Sequence, residues 1–187
     1  MNEKQRVQQV LSGNTSAFGY FVETFQDMAI TIAYRICGNM QDAEDVVQES
    51  YVKAFRNLHS FRADSKFSSW LYRIVYNTAV THMRTKIWYS EAEQIENVSY
   101  ISNTNTAIDV ENGEQKAMVT AILDAMPSGD ALLLTLFYLE DNAIKDIAKI
   151  TGLNDSNVKV KLFRARKLFK AMLLERYGKE ATESINQ

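Results

Sequence analysis

Residues 143–170 read AIKDIAKITGLNDSNVKVKLFRARKLFK, and their pattern is the clearest indication of the fold in this sequence. Ile144, Ile147 and Ala148 share one face of a first helix, because residues three and four apart lie together on a helix surface. Gly152 follows at the point where a tight turn needs a positive φ, which glycine adopts at little cost. The pattern therefore predicts a helix, a tight turn and a second helix.

The second helix of this stretch combines an apolar face with a cationic remainder. Its apolar face is formed by Val158, Leu162, Ala165 and Phe169. Its cations are Lys159, Lys161, Arg164, Arg166 and Lys167. Asn154 or Asp155 is expected to cap its first turn. Such a helix suits the major groove of DNA, where cations contact phosphates and other side chains reach base edges. We predict a DNA-binding helix-turn-helix; the alternative is a helical hairpin with a solvated basic face.

The composition predicts an all-α chain. The 187 residues include one proline and seven glycines, the two residues that interrupt helices, and 46% are hydrophobic, enough to bury a core. No apolar run approaches the roughly 18–20 residues that span a bilayer. The N-terminus has no apolar segment typical of a secretory signal, so a cytoplasmic protein without stable membrane insertion is expected.

The residue types disfavour a catalytic or metal site. Cys37, His59 and His82 are scattered and lack the spacing of zinc ligands. The sequence contains no GxxxxGK[ST] phosphate loop, and its carboxylate pairs lie on predicted helix faces. We therefore predict no enzyme activity, no cofactor and no metal ion.

Charge is unevenly distributed along the chain. The formal net charge is −2, but residues 61–90 carry +4 and residues 156–187 carry +5, with −6 over residues 91–126 between them. Local basic patches decide contact with phosphates, whereas the net charge does not. Two separate basic segments favour a nucleic-acid partner, and solvated helix faces are the alternative.

Residues 14–85 predict three consecutive helices. Ser16 is expected to cap the first helix, and Gly38 to end it in the left-handed conformation. The inward face of the second helix is predicted to contain Val46, Val47, Tyr51, Ala54, Phe55 and Leu58. The third helix is expected to start at Ser68 or Ser69.

Three features of this first half point to binding surfaces. Asp45, Gln48 and Glu49 form a charged patch on the second helix that suits a basic partner, although a solvated acidic face is the alternative. The loop FRADSKF at residues 61–67, which leads into Trp70, mixes aromatic and basic residues that suit unstacked bases. For Phe61, Phe67 and Trp70 the alternative is core packing. The third helix is basic and has one face without acids; it carries Tyr72, Arg73, Tyr76, Asn77 and Arg84, of which Asn77 is suited to a base edge.

Three motifs together resemble one family. DAEDVVQESYVKAFRNL at residues 42–58, FRADSKFSSWLYRIVYNTA at 61–79 and IAKITGLNDSNVKVKLFRARK at 147–167 are similar to the extracytoplasmic-function (ECF) sigma factors, sigma-70 family members with regions 2 and 4 only. The resemblance implies two all-α domains joined by a polar linker. The implied domains are region 2 at residues 1–86, a linker at 87–113, region 4 at 114–178 and a tail at 179–187.

The resemblance also implies partners and residue roles. The patch of Asp45, Gln48 and Glu49 would bind core RNA polymerase. The −10 promoter element would be bound and melted by Phe61, Arg62, Asp64, Ser65, Lys66, Phe67, Trp70, Arg73 and Asn77. The −35 element would be read by Asn157, Lys159, Val160, Lys161, Phe163, Arg164, Arg166 and Lys167. Promoter DNA, core polymerase and an anti-sigma factor would be the partners. The alternative is a stand-alone helix-turn-helix regulator whose first domain senses a signal or dimerises.

The sequence departs from the family pattern in the second half. Val160 stands where the family often has serine, so one hydrogen bond to DNA is expected to be absent. The entry to region 4, residues 126–134, is apolar and lacks an arginine, and residues 142–145 lack the usual acids. These departures are expected to change the −35 contacts, or to enlarge a surface for a partner helix, without changing the fold.

Overall fold

The computed structural model describes residues 2–93 and 113–184, and all the regular elements in those ranges are helical. The α-helices are α1 Glu3–Leu11, α2 Gly19–Cys37, α3 Met40–Arg56, α4 Phe67–Glu93, α5 Gly113–Ala125, α6 Ser128–Leu134, α7 Ile144–Thr151 and α8 Asp155–Ser184. Two compact units are formed: the first contains α1–α4 and residues Ala148–Gly152 at the end of α7, and the second contains α5, α6, the start of α7 and α8. The predicted all-α, two-unit architecture is confirmed.

The core of the first unit is formed where α2, α3 and α4 pack against one another. Phe21 of α2 and Phe67 of α4 are fully buried and stack with ring centroids 4.0 Å apart. Ile32, Val46 and Leu71 are also fully buried. Burial of side chains of this size contributes about 1.5–3 kcal/mol each, so this contact region dominates the stability of the unit.

The chain begins with a helix that the sequence pattern did not reveal. Asn2 and Gln5 form a capping box at the start of α1: each backbone N–H donates to the other side chain, at 2.9 and 3.0 Å. Ser16 does not cap a helix as predicted. It lies inside the 3₁₀ turn Thr15–Phe18, where its hydroxyl donates to Oδ1 of Asn14 at 2.7 Å.

The predicted junction between α2 and α3 is confirmed. Gly38 has φ 77° and ends α2 in the left-handed conformation. Asn39 caps α3 by accepting a hydrogen bond from the backbone N–H of Asp42 at 2.9 Å. Cys37, the last residue of α2, is buried; desolvation, reinforced by the nearby Asp42 carboxylate, raises the pKa of its thiol to about 11.

α4 is longer than predicted at both ends. It starts at Phe67, just before the two serines proposed as its beginning, and continues to Glu93, past residue 87 where the linker was expected. The rest of the predicted linker, residues 94–112, lies outside the described residues. The boundaries proposed for the two domains therefore stay a prediction.

Asp42 links the start of α3 to α4 by hydrogen bonds and an ion pair. Its carboxylate accepts hydrogen bonds from Nε2 of His82 at 3.2 Å, Nζ of Lys86 at 2.5 Å and Nδ2 of Asn39 at 2.6 Å. Desolvation acts to raise the pKa of this carboxyl. The three hydrogen bonds outweigh it, so the pKa is lowered from 3.8 to about 2.

This cluster predicts an acid-sensitive first unit. A carboxyl whose pKa is lower in the folded state stabilises the fold fully above its unfolded pKa, and loses that contribution as the pH falls through the folded pKa. We expect the unfolding midpoint in urea to fall between about pH 4 and pH 2. Replacing Asp42 by Asn should reduce this fall, and replacing the exposed Asp45 by Asn should not; equal curves for the native chain and D42N would contradict the assignment.

The second unit is built on α8, which packs against α5 and α6. The apolar segment at residues 132–139 is divided between two kinds of helix: α6 gives way to a π-helix at Thr135–Leu139. The buried Asn142 closes this segment, since its Nδ2 donates to the carbonyl of Leu136 at 3.1 Å. Tyr138 and Leu139 remain 59% and 60% exposed.

α8 continues beyond the predicted end of the second domain. Gly178 interrupts it with φ 76° and ψ −173°, and the helix then resumes to Ser184. The predicted polar tail at 179–187 is thus helical over the part that the structure describes, up to residue 184. Among the described residues, no helix has the length and apolar character needed to cross a membrane.

Candidate nucleic-acid interface

α7 and α8 follow one another along the chain across the tight turn that the sequence pattern predicts. Gly152 between them has φ 74°, and Asn154 caps α8 by accepting from the backbone N–H of Asn157 at 2.7 Å. The inward residues Val158, Leu162 and Ala165 are buried, and Phe169 is half-buried. The apolar face of α8 is therefore placed as the spacing predicted.

The opposite side of α8 is cationic and open to solvent. Lys159, Lys161, Arg164, Arg166 and Lys167 are all exposed. Two of these cations lie on aromatic rings. The guanidinium of Arg166 lies 5.1 Å from the Phe137 ring centroid and 5.5 Å from that of Tyr138, and Nζ of Lys167 lies 4.7 Å from that of Phe163. Cation–π contacts restrict these two side chains.

Two apolar side chains stand among these cations. Val160 is 48% exposed and Phe163 is 57% exposed, and their spacing of three residues places them together on the outer surface of α8. Asn157, at the start of the helix, is also exposed. The residues predicted to contact the −35 element are thus all accessible.

The loop at residues 61–66 lines a cleft in the first unit. The cleft has a volume of about 490 Å³ and is lined by Asn2, Glu3, Lys4, Tyr20, Phe61, Ala63 and Ser65. Ala63 has φ 56°, a conformation that a residue with a Cβ rarely adopts and that concentrates at functional loops. Sequence reasoning missed the contribution of α1 and Tyr20, although the Asn2–Gln5 capping pattern signals a helix at that end.

The aromatic residues of this loop divide into core and surface. Phe67 was proposed to contact DNA, but its ring is fully buried between Phe21 and the neighbouring aromatics, so the core alternative holds for it. Phe61 and Trp70 are half-buried, with ring centroids 5.6 Å apart. Both rest on Phe67, at 5.3 and 5.4 Å, and keep part of each ring exposed.

One face of α4 continues from Trp70. Arg73, Asn77 and Arg84 are exposed and lie 3, 7 and 14 residues after Trp70, which keeps them on one side of the helix. Tyr72, which the same helix carries, is 1% exposed and makes an edge contact with Phe25, with ring centroids 6.1 Å apart. It belongs to the core because it lies on the same side of α4 as the buried Val75.

The acidic patch lies on the outer surface of α3. Asp45, Gln48 and Glu49 are exposed, and Oε1 of Glu49 pairs with Nζ of Lys53 at 2.7 Å. Val52, which was not predicted, extends the patch and is 49% exposed.

Phe55 on the same helix corrects the predicted inward face of α3. It is 42% exposed, and its ring makes an edge contact with the Phe18 ring, with centroids 5.2 Å apart. The patch therefore combines carboxylates with an apolar surface. In the described residues no group of three or more His, Cys, Asp or Glu side chains is placed to hold a metal ion.

The fold and these surfaces define a helix-turn-helix protein of the transcription-factor class. Residues 21–89 match the family profile described as Sigma-70 region 2, and residues 116–169 match Sigma-70, region 4. The chain belongs to the ECF group of the sigma-70 family. This confirms the resemblance found in the three sequence motifs.

Curated relatives are similar over nearly their whole length. The ECF RNA polymerase sigma factor SigW of Bacillus subtilis is 27% identical, over 91% of this chain and 96% of its own. The ECF RNA polymerase sigma-E factor of Escherichia coli is 30% identical, over 89% of this chain and 91% of its own. The RNA polymerase sigma-H factor of Pseudomonas aeruginosa is 30% identical, over 88% and 90%.

Two solved structures share the fold. One is the sigma factor RpoE of Bartonella quintana in complex with the anti-sigma factor NepR, with a TM-score of 0.72, 19% identity and coverage of 86% of this chain and 98% of that chain. The other is CnrH in complex with the cytosolic domain of CnrY, with a TM-score of 0.65, 24% identity and coverage of 93% and 98%.

Proposed function

We propose that this chain is a promoter-recognition subunit of bacterial RNA polymerase. In this proposal it binds core polymerase, directs it to promoters with −10 and −35 elements, and acts in the cytoplasm without catalysing a reaction of its own. The observation that carries the proposal is the outer surface of α8, where exposed cations surround an exposed apolar pair on the second helix of a helix-turn-helix.

The first unit would hold the melted strand of the −10 element. A cleft beside a strained loop, with Phe61 and Trp70 half-exposed and Arg73 and Asn77 on the adjoining helix face, offers stacking surfaces and polar groups together. Each stacked base contributes about 1–3 kcal/mol, against about 1.4 kcal/mol for each stacking step that opens in the duplex. Arg62 and Lys66, both exposed, would hold phosphates, and Asp64 and Ser65 would complete the loop.

The acidic patch on α3 would bind the polymerase. Asp45, Gln48 and Glu49 are exposed beside the apolar Val52 and Phe55, and interfaces combine an apolar centre with polar groups at the rim. An anti-sigma factor is proposed as a further partner, because it would regulate the chain by covering these surfaces. The relatives in the two solved structures are named as complexes of this kind.

A single transcription experiment tests this function. The purified chain is mixed with bacterial core polymerase free of other sigma factors and with fragmented genomic DNA of the source, and transcript 5′ ends are sequenced. Discrete starts that share upstream −35 and −10 sequences are expected. Absence of both discrete starts and coelution with polymerase would overturn the proposal and favour the stand-alone helix-turn-helix regulator.

The cations of α8 give a quantitative prediction about DNA binding. The binding constant K falls as the salt concentration rises, so the slope of log K against log salt is negative. Lys161→Ala and Arg164→Ala should each make this slope shallower by about 1, because each removes one phosphate contact and its released counterion. Affinity is measured by fluorescence anisotropy on a promoter duplex between low and moderate salt. Lys116→Ala on α5, an equally exposed cation outside the interface, is the matched control and should leave the slope unchanged.

A further inference from the structure

The apolar pair on the outer surface of α8 needs its own explanation. Val160 and Phe163 are 48% and 57% exposed in a helix whose other outward side chains are mostly cations. Val158 and Leu162, on the opposite side of α8, are fully buried and form its contact with the core. The outer pair therefore contributes no core packing and is free to contact a ligand.

The residues around the pair indicate that this ligand is duplex DNA. Lys159, Lys161 and Arg164 flank it on both sides and match the negative charge of the two phosphate backbones. In the major groove the only apolar group that a base presents is the C5 methyl of thymine, and apolar side chains contact it. Valine has no hydrogen-bonding group, so it contributes to base recognition through such an apolar contact alone.

We propose that Val160 and Phe163 together read thymine methyl groups in the −35 element. This inference rests on the proposed function, since it requires that α8 lies in the major groove. In this proposal the pair distinguishes thymine from bases that lack the methyl group, whereas the cations of α8 supply the affinity for DNA of any sequence. The contact of Lys167 with the Phe163 ring, at 4.7 Å, restricts that ring on the surface where the methyl would lie.

The test uses DNA in which the methyl group alone is removed. The full chain is bound to core polymerase, and duplexes are selected from a random library joined upstream of a fixed −10 segment. Each thymine of the enriched −35 sequence is then replaced by deoxyuridine, one position at a time, and competition affinities are measured. We expect one or two positions at which deoxyuridine weakens binding about fourfold, equivalent to about 0.8 kcal/mol for one buried methyl group.

Variants assign the effect to the pair. Val160→Ala should reduce the thymine-to-deoxyuridine ratio at one position, and Phe163→Ala should reduce it at the same or the neighbouring position. Leu11→Ala is the matched control, since Leu11 is 47% exposed at the end of α1, outside the proposed DNA-binding and polymerase-binding surfaces. Lys161→Ala should weaken binding to both duplexes equally and leave the ratio unchanged. Both residues of the pair are exposed, so thermal unfolding midpoints should not change.

The outcomes separate this inference from the proposed function. An enriched −35 sequence with no thymine, or one in which deoxyuridine binds as well as thymine at every position, overturns methyl readout while the promoter function stands. Failure to enrich any sequence overturns both. A ratio that persists in both alanine variants assigns methyl recognition to other residues and overturns the role of the pair.

Discussion

Replacing Phe67 by alanine is expected to destabilise the first unit by about 3–5 kcal/mol, the usual cost of removing a buried phenylalanine ring. Phe67 is fully buried, and its ring stacks on Phe21 at 4.0 Å while also supporting Phe61 and Trp70. A loss of this size is a large part of the stability of a small domain, so partial unfolding at 37 °C is expected. Urea denaturation followed by circular dichroism measures it.

Phe61→Ala is the matched comparison for this experiment. Phe61 is half-buried and lines the cleft, so its removal should cost much less stability than removal of Phe67. It should instead weaken binding of the polymerase complex to a single strand carrying the −10 sequence, by about 1–3 kcal/mol. If Phe67→Ala kept full stability and lost strand binding, Phe67 would be a DNA contact and the packing interpretation would be wrong.

Reversing the charge of Asp45 is expected to weaken binding to core polymerase at least about thirtyfold. A carboxylate that pairs with a cation across an interface leaves that cation unpaired when it is reversed, which costs about 2–5 kcal/mol. Asp45 is exposed, and the ion pair between Glu49 and Lys53 on the same helix is not broken by Asp45→Lys. The unfolding midpoint should therefore stay unchanged while affinity falls.

Glu23→Lys provides the control for Asp45→Lys. Glu23 is exposed on α2, a different helix from the patch, and the substitution changes the charge equally. Equilibrium binding is measured by fluorescence with labelled core polymerase. Equal losses in the two variants would mean that net charge decides binding; no loss in Asp45→Lys would remove the patch from the polymerase interface.

The sequence predicted the ends of several helices correctly, because helix ends depend on the few residues next to them. Gly38 and Gly152 both have the positive φ expected of them, since glycine adopts this conformation without a steric penalty. Asn154 caps α8, as one of the two residues predicted for that role, and Asn39 caps α3 in the same way, because an asparagine side chain there reaches the free N–H groups of the first turn. These features depend on neighbouring residues only.

The errors concern tertiary contacts. Phe67 and Tyr72 resemble DNA-binding aromatics in composition, but both lie on the side of α4 that packs against α2, and only the packing distinguishes a core ring from a stacking ring. The exposed ring of Phe55 is the converse case, since an apolar spacing does not reveal whether a neighbouring helix covers the residue. The cleft beside α1 is lined by segments that are distant in sequence, so no single motif predicts it.

The position of Cys37 limits how this chain senses oxidants. It is the only cysteine in the sequence, it is buried at the end of α2, and its pKa of about 11 keeps it as the protonated thiol at physiological pH. Peroxides and disulfides react with thiolates, so they modify such a sulfur slowly. Oxidants in the cell are therefore expected to modify Cys37 slowly, and a rapid thiol-based response is not expected to start at this residue.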